Sequence, residues 1–191
     1  QLQELRDEQK VVREGFEFLE QKRMLIASEI MRELRRHQSL YEEFSAGHAD
    51  AVTALGRAIG FHGLEGVQVC PPRPFEDGAM SLDERNFLDL RLIDAQTAGE
   101  AVDRSVPAVL PSIEAELCAE AFRTLIDGAA RMAAIATNIA RLLQDYRKTE
   151  RRARALENVI LPEIDETVKD FEDQLEAMDQ EDAIRVRMRR S

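Results

Sequence analysis

The stretch CAEAFRTLIDGAARMAAIATNIARLLQDY, residues 118–146, sets apolar or small side chains at Cys118, Phe122, Leu125, Ala129, Met132, Ala136, Ile139, Leu143 and Tyr146. Steps of four and three alternate without a slip, which is the spacing that keeps one stripe of an α-helix turned toward a second helix. A helix with a single apolar stripe needs another of comparable length against which to bury it. The chain offers one at its start, where Leu2, Leu5, Val12, Phe16, Leu19, Ile26, Ile30 and Leu34 recur, with Gln9 and Arg23 filling two slots of the same series. The pattern resumes as Tyr41, Phe44, His48, Val52, Leu55 and Ile59, and Gly47 and Gly56 are places where such a helix could bend. Two long helices joined through an insert bury each other's seams by running antiparallel.

Composition agrees with long helices. Aromatic residues make up 5% of the 191 residues, Trp is absent, and charged residues make up 33%, which suits extended helices better than a sandwich or barrel. The net charge of −11 and pI near 4.9 argue against nucleic acid as the main partner, because binding the phosphate backbone needs an excess of Lys and Arg. No apolar stretch approaches the roughly 18 residues that cross a bilayer, so direct membrane insertion is not expected. The start of the chain lacks a signal-peptide pattern, and Cys70 and Cys118 are too few for a disulfide framework, so both are expected to be reduced thiols in a cytoplasmic protein. A chain that begins at Gln1 already inside an amphipathic pattern is expected to be a piece of a longer one.

The expected organisation is a first shaft helix over residues 1–59, an insert over 60–111 and a second shaft helix over 112–191. The fold class is mainly all-α, a long antiparallel two-helix coiled coil with a small α/β hairpin insert between the helices. Five of the six prolines fall in the insert. There, GVQVCPPRPF (residues 66–75) reads as a short strand halted by prolines, and LDLRLIDAQ (residues 88–96) alternates like a second strand. Ser81 could equally cap a helical turn.

Enzymatic chemistry finds no constellation. His37, His48 and His62 are scattered, and neither Glu-x-x-His nor Gly-x-x-x-x-Gly-Lys occurs, so no catalytic residue, metal ligand or cofactor is expected. Cys118 falls on the apolar seam and reads as a small buried hydrophobe.

Charge is instead arranged in bands. Arg147, Lys148, Arg151, Arg152 and Arg154 form a basic collar with Glu150 as the lone acid among them. Pro162 follows, where the apolar series Leu156, Ile160, Ile164 and Val168 takes three steps of four. Such steps unwind a left-handed supercoil, and a proline inside a helix removes a hydrogen bond and bends it; alternatively, Pro162 opens a separate helix at its first turn. An acidic run from Glu163 to Asp182 comes next, and the sequence closes on Arg185, Arg187, Arg189 and Arg190. Charge runs are usually solvated helix faces, but banding on this scale also suits a rod passing through different protein surroundings.

KTERRARALENVILPEI, residues 148–164, resembles the signature of the D subunits of the V-type and A-type rotary ATPases: Lys-Thr-x-Arg-Arg-x-x-Ala-Leu-Glu, an Ile/Val-rich step and Pro. GFEFLEQKRMLIASEIMREL (residues 15–34) is similar to that family's N-terminal pattern, and DAIRVRMRR (residues 182–190) to its basic ending, with Arg154 where the family usually has Asn and Ile184 where it usually has Phe. The resemblance implies a non-catalytic central rotor shaft. It would work beside the catalytic A and B subunits, the small F subunit and the adaptor of the membrane rotor, peripheral to the membrane on the cytoplasmic side. The collar, Pro162 and the four terminal arginines are then the expected partner-binding residues. The competing expectation is a coiled-coil adaptor or tether unrelated to rotary ATPases. A membrane-curving scaffold of that kind would carry an unbroken basic face, whereas here acidic bands intervene.

Overall fold

The computed structural model describes residues 2–69, 80–97 and 112–190. Helix α1 spans Leu2–Val69, strands β1 (Met80–Phe87) and β2 (Leu90–Thr97) follow, and helix α2 spans Ile113–Ala155. A π-helical turn, Leu156–Ile160, leads into helix α3, Leu161–Arg190. The fold is mainly α, with an antiparallel two-stranded hairpin between the helices, as the patterning implies.

The chain divides into two compact units, one of Gln1–Ser28 with Gln144–Ser191, the other of Glu29–Leu143. In the first unit α1 runs antiparallel to the end of α2 and to α3. Arg6 pairs with Glu172 at 2.6 Å, Gln9 donates to Asp165 at 2.5 Å, and Lys22 makes a 3.4 Å ion-pair contact with Asp145, so rising numbers on one side meet falling numbers on the other. Gln9 fills a polar slot in the apolar series, as expected, by bonding across the seam.

The second unit packs α1 against α2 in the same antiparallel sense. The Leu125 side chain lies 3.6 Å from where a Cβ on Gly47 would stand, and a Cβ on Gly128 would come within 3.2 Å of the Phe44 ring. Gly128 is thus a place where a missing side chain makes room for the Phe44 ring, whereas a Cβ on Gly47 would make ordinary contact with Leu125.

Seam positions differ from the sequence expectation by one residue over much of the length. Glu33, Ala51, Ile135 and Leu142 are buried, while their neighbours Leu34, Val52, Ala136 and Leu143 are exposed. Gly128 is likewise buried where Ala129 was expected, and Tyr41 and His48 are exposed. An α-helix drifts by about 20° per heptad, so adjacent apolar residues compete for one slot and hydropathy alone does not choose between them. Here the occupants include Gly128, Glu33 and Thr149, which hydropathy does not mark as core.

The insert also departs from expectation. Gly66–Val69, read as the first strand, belong to α1, which is interrupted at Gly63 (φ 68, ψ 166), a conformation that side chains disfavour. Residues 70–75 of that expected strand, with Cys70, lie outside the described residues. The partner of β2 is β1, which begins at Met80, so Ser81 is in a strand rather than a helical turn. A two-residue turn, Leu88-Asp89, joins Phe87 to Leu90, with Leu88 at φ 52. β1 gave little sequence signal because most of its side chains are exposed.

The hairpin lies on the second unit's helices. Leu92 is fully buried, and Ala95 with Ile93 packs on Ala130 and Ala134 of α2. Asn138 of α2 grips Ile93 twice: the Ile93 N–H donates to its Oδ1 and its Nδ2 donates to the Ile93 carbonyl, each at 2.8 Å. α2 thus buries two stripes, one toward α1 and a small-residue one toward β2.

Candidate interaction surface

The basic collar sits on the last turns of α2 in the first unit. Thr149 and Ala153 face inward at 3% and 1% exposure. Successive helical residues are turned about 100° from one another, so fixing these two inside leaves Arg147, Lys148, Arg151, Arg152 and Arg154 outside, and all five are exposed. Arg154 bridges Glu150 at 2.7 Å, and the Arg151 Nε donates to the Arg147 carbonyl at 3.3 Å. Arg147, Lys148, Arg151 and Arg152 form no ion pair among the described residues. Four uncompensated cations within two turns make a local positive field on an acidic protein, suited to an anionic protein surface.

Below the collar the helix widens for one turn. Ala155 and Leu161 both keep ordinary right-handed helical angles, and the Leu161 N–H donates to the Leu156 carbonyl, five residues back. Pro162 is the second residue of α3 and is exposed. It does not start a detached helix: the helical run continues through the wide turn, and its missing N–H falls just after that turn. The seam reads Ala153, Leu156, Leu161, Ile164, Val168 and Phe171, with a step of five where sequence spacing suggested Ile160, which is exposed. The π turn absorbs one inserted residue and keeps both flanks of the seam on the same face.

The acidic residues Glu163, Asp165, Glu166, Asp170, Glu172, Asp173, Glu176, Asp179, Glu181 and Asp182 are all exposed on α3. Arg185 lies 3.8 Å from Glu181 and 3.7 Å from Asp182, both on its own helix. Arg187 is exposed, and Arg189 and Arg190 belong to α3 with their side chains outside the described set. Leu175, Met178, Ile184 and Met188 are exposed on the same helix. At the end of the second unit, Phe61, Leu64, Ile113 and Leu117 are exposed beside a His62–Ser112 hydrogen bond. Burial pushes the Cys118 thiol up from its ordinary range.

One polar constellation gave no signal in the sequence. Arg85 of β1 reaches Glu29 at 2.9 Å and Glu33 at 3.1 Å on α1, and both acids are buried. Their i, i+4 spacing on α1 was visible, but nothing in the sequence pairs them with an arginine 56 and 52 residues away. Among the described residues no group of three His, Cys, Asp or Glu could hold a metal ion, and no helix is long and apolar enough to cross a membrane.

The family model for the D subunit of ATP synthase matches residues 1–191. The chain belongs to the family of ATP synthase D subunits. Among relatives within it, the chain is similar to the V-type ATP synthase D subunit of Thermotoga neapolitana, 28% identical over 96% of this chain and 90% of that one. It is also similar to the A-type ATP synthase D subunit of Pyrococcus abyssi, 26% identical over 98% and 89%, and to that of Thermococcus kodakarensis, 28% identical over 93% and 84%. The likeness to D subunits therefore covers both helical ends, the collar and the hairpin together.

Proposed function

We propose that this D subunit is the non-catalytic central shaft of a V/A-type rotary ATPase, carrying torque between a catalytic hexamer of A and B subunits and the membrane ion-translocating rotor. The observation that carries this is the collar: five exposed basic side chains on a seam-packed helix, in a chain matched end to end by the family of D subunits. A torque-bearing element must resist bending and present charge to its housing. Antiparallel seams in each unit supply stiffness, and Arg147, Lys148, Arg151, Arg152 and Arg154 supply a cationic surface for acidic groups of the hexamer.

Pro162, Arg185, Arg187, Arg189 and Arg190 are further partner-binding residues of this proposal. The exposed apolar group of Phe61, Leu64, Ile113 and Leu117 suits the adaptor of the membrane rotor, and the small F subunit binds alongside the shaft. In this role the protein works on the cytoplasmic side, held to the membrane only through the complex. The division proposed with this role is shaft helices over residues 1–59 and 112–191 with 60–111 between them, although α1 itself continues past residue 59 to Val69.

Co-expression with the A, B and F subunits, then size exclusion, tests the proposal. Co-elution at one chain per hexamer supports it. A chain that never enters the complex rules it out and favours a coiled-coil tether.

A further inference from the structure

Glu29 and Glu33 stand one turn apart on α1, with side chains 5% and 1% exposed. Two buried carboxylates on one helix face are tolerated only where a cation meets them. Arg32 reaches Glu29 from the same helix, but the cation shared by both acids comes from the hairpin: the single Nη2 of Arg85 bonds one oxygen of Glu29 and one of Glu33. The fit is incomplete. Glu33 Oε2 is buried with no hydrogen-bond partner among the described residues, and the Arg85 side chain is 36% exposed. An arginine filling such a pocket through both nitrogens would satisfy that oxygen too.

Other polar holds on the hairpin among the described residues include the two Asn138 bonds to Ile93, Arg141 Nη1 to the Arg91 carbonyl at 2.7 Å, and Arg36 to Asp94 at 2.7 Å. The apolar footing is Leu92, Ala95 and Ile93 on small alanines of α2. By contrast, the helices beneath keep their own seam, including Ala51, Leu125, Ile135 and Leu142.

We propose that the β1–β2 hairpin is a latched element: Arg85 is a cationic pin in the Glu29–Glu33 pocket, and withdrawing it frees the hairpin from helices that stay folded. Release does two things at once. It uncovers the Ala130–Ala134–Asn138 stripe of α2, and it opens Glu29 and Glu33 to solvent. The latch needs no part of the shaft assignment, because it lies within one unit and involves none of the collar residues.

Amide hydrogen exchange on the full chain tests it. In Arg85→Gln, exchange in β1 and β2 is expected to quicken about tenfold or more, while exchange in α1 and α2 around Phe44 and Leu125 stays as in the wild type. Arg85→Lys, which keeps the charge, should fall between. Because Arg85→Gln leaves Glu33 without its cation and Glu29 with Arg32 alone, Arg85→Gln combined with Glu29→Gln and Glu33→Gln is measured alongside. Its hairpin should remain fast-exchanging, since neutral amides do not replace the pin. Three results would overturn the proposal: hairpin exchange unchanged in Arg85→Gln, exchange quickening equally in both helices, or a wild-type hairpin in the triple variant.

Discussion

Leu156 and Leu161 are joined backbone to backbone across five residues, and both side chains are half-buried on the seam, with Leu156 Cδ1 3.9 Å from where a Cβ on Gly15 of α1 would stand. Between them one extra residue is accommodated without turning the seam outward. The wide turn follows from the inserted residue, and Pro162 comes directly after it.

Pro162→Ala should therefore keep the π turn and add a donor to the helix. The expected outcome is a gain of about 1 kcal/mol in unfolding free energy, the worth of one intramolecular hydrogen bond. Deleting Val159 should instead remove the wide turn, because Leu156 would then precede the next seam residue by four. Backbone chemical shifts over residues 155–165, with denaturant unfolding, check both outcomes.

Leu142→Ala should cost about 2–5 kcal/mol, since this side chain is fully buried. Its neighbour Leu143 is 38% exposed, so Leu143→Ala should cost under about 1.5 kcal/mol. Urea unfolding midpoints of the two variants distinguish this one-residue difference in seam position directly.

Gly56 faces open space, whereas a Cβ on Gly128 would meet Phe44. Gly56→Ala should stabilise the protein by about 0.5–1 kcal/mol through helix propensity alone. Gly128→Ala carries the same propensity gain set against a displaced ring, and should come out at least about 1 kcal/mol less favourable than Gly56→Ala. Thermal unfolding of both reads the difference.

With Cys70→Ser leaving Cys118 as the remaining thiol, the folded protein should react with a disulfide reagent far more slowly than the urea-unfolded chain at pH 8. Burial raises the folded-state value of this thiol, so its contribution to stability is fully present below the unfolded value of about 9 and is lost as pH rises through the folded one. Labelling rates from pH 7 to 10 check the direction.

Two helices and their antiparallel sense were legible because apolar residues recur at threes and fours from Leu2 to Ile59 and from Cys118 to Tyr146. The register within each seam was not. Glu33 is buried because Arg85 of the hairpin meets it, and Gly128 because Phe44 fills its place, and both causes lie far away in sequence. β2 showed its alternation, since buried Leu92 lies beside exposed Arg91 and buried Ala95 beside exposed Gln96. β1 did not, being largely exposed and held through Arg85 and its pairing with β2. The collar was legible as composition; its exposure depends on Thr149 and Ala153 turning inward.

In the proposed role the collar grips an acidic part of the catalytic ring. Its most direct test is the affinity of Arg151→Gln/Arg152→Gln for rings reconstituted from A and B subunits, measured from low to physiological salt. Both side chains are exposed, so the isolated variant should keep its helical circular dichroism and its melting temperature. A binding constant about tenfold weaker than wild type is expected, with a shallower salt dependence because two screened charges are gone. Wild-type affinity and wild-type salt dependence in a folded variant would contradict the account.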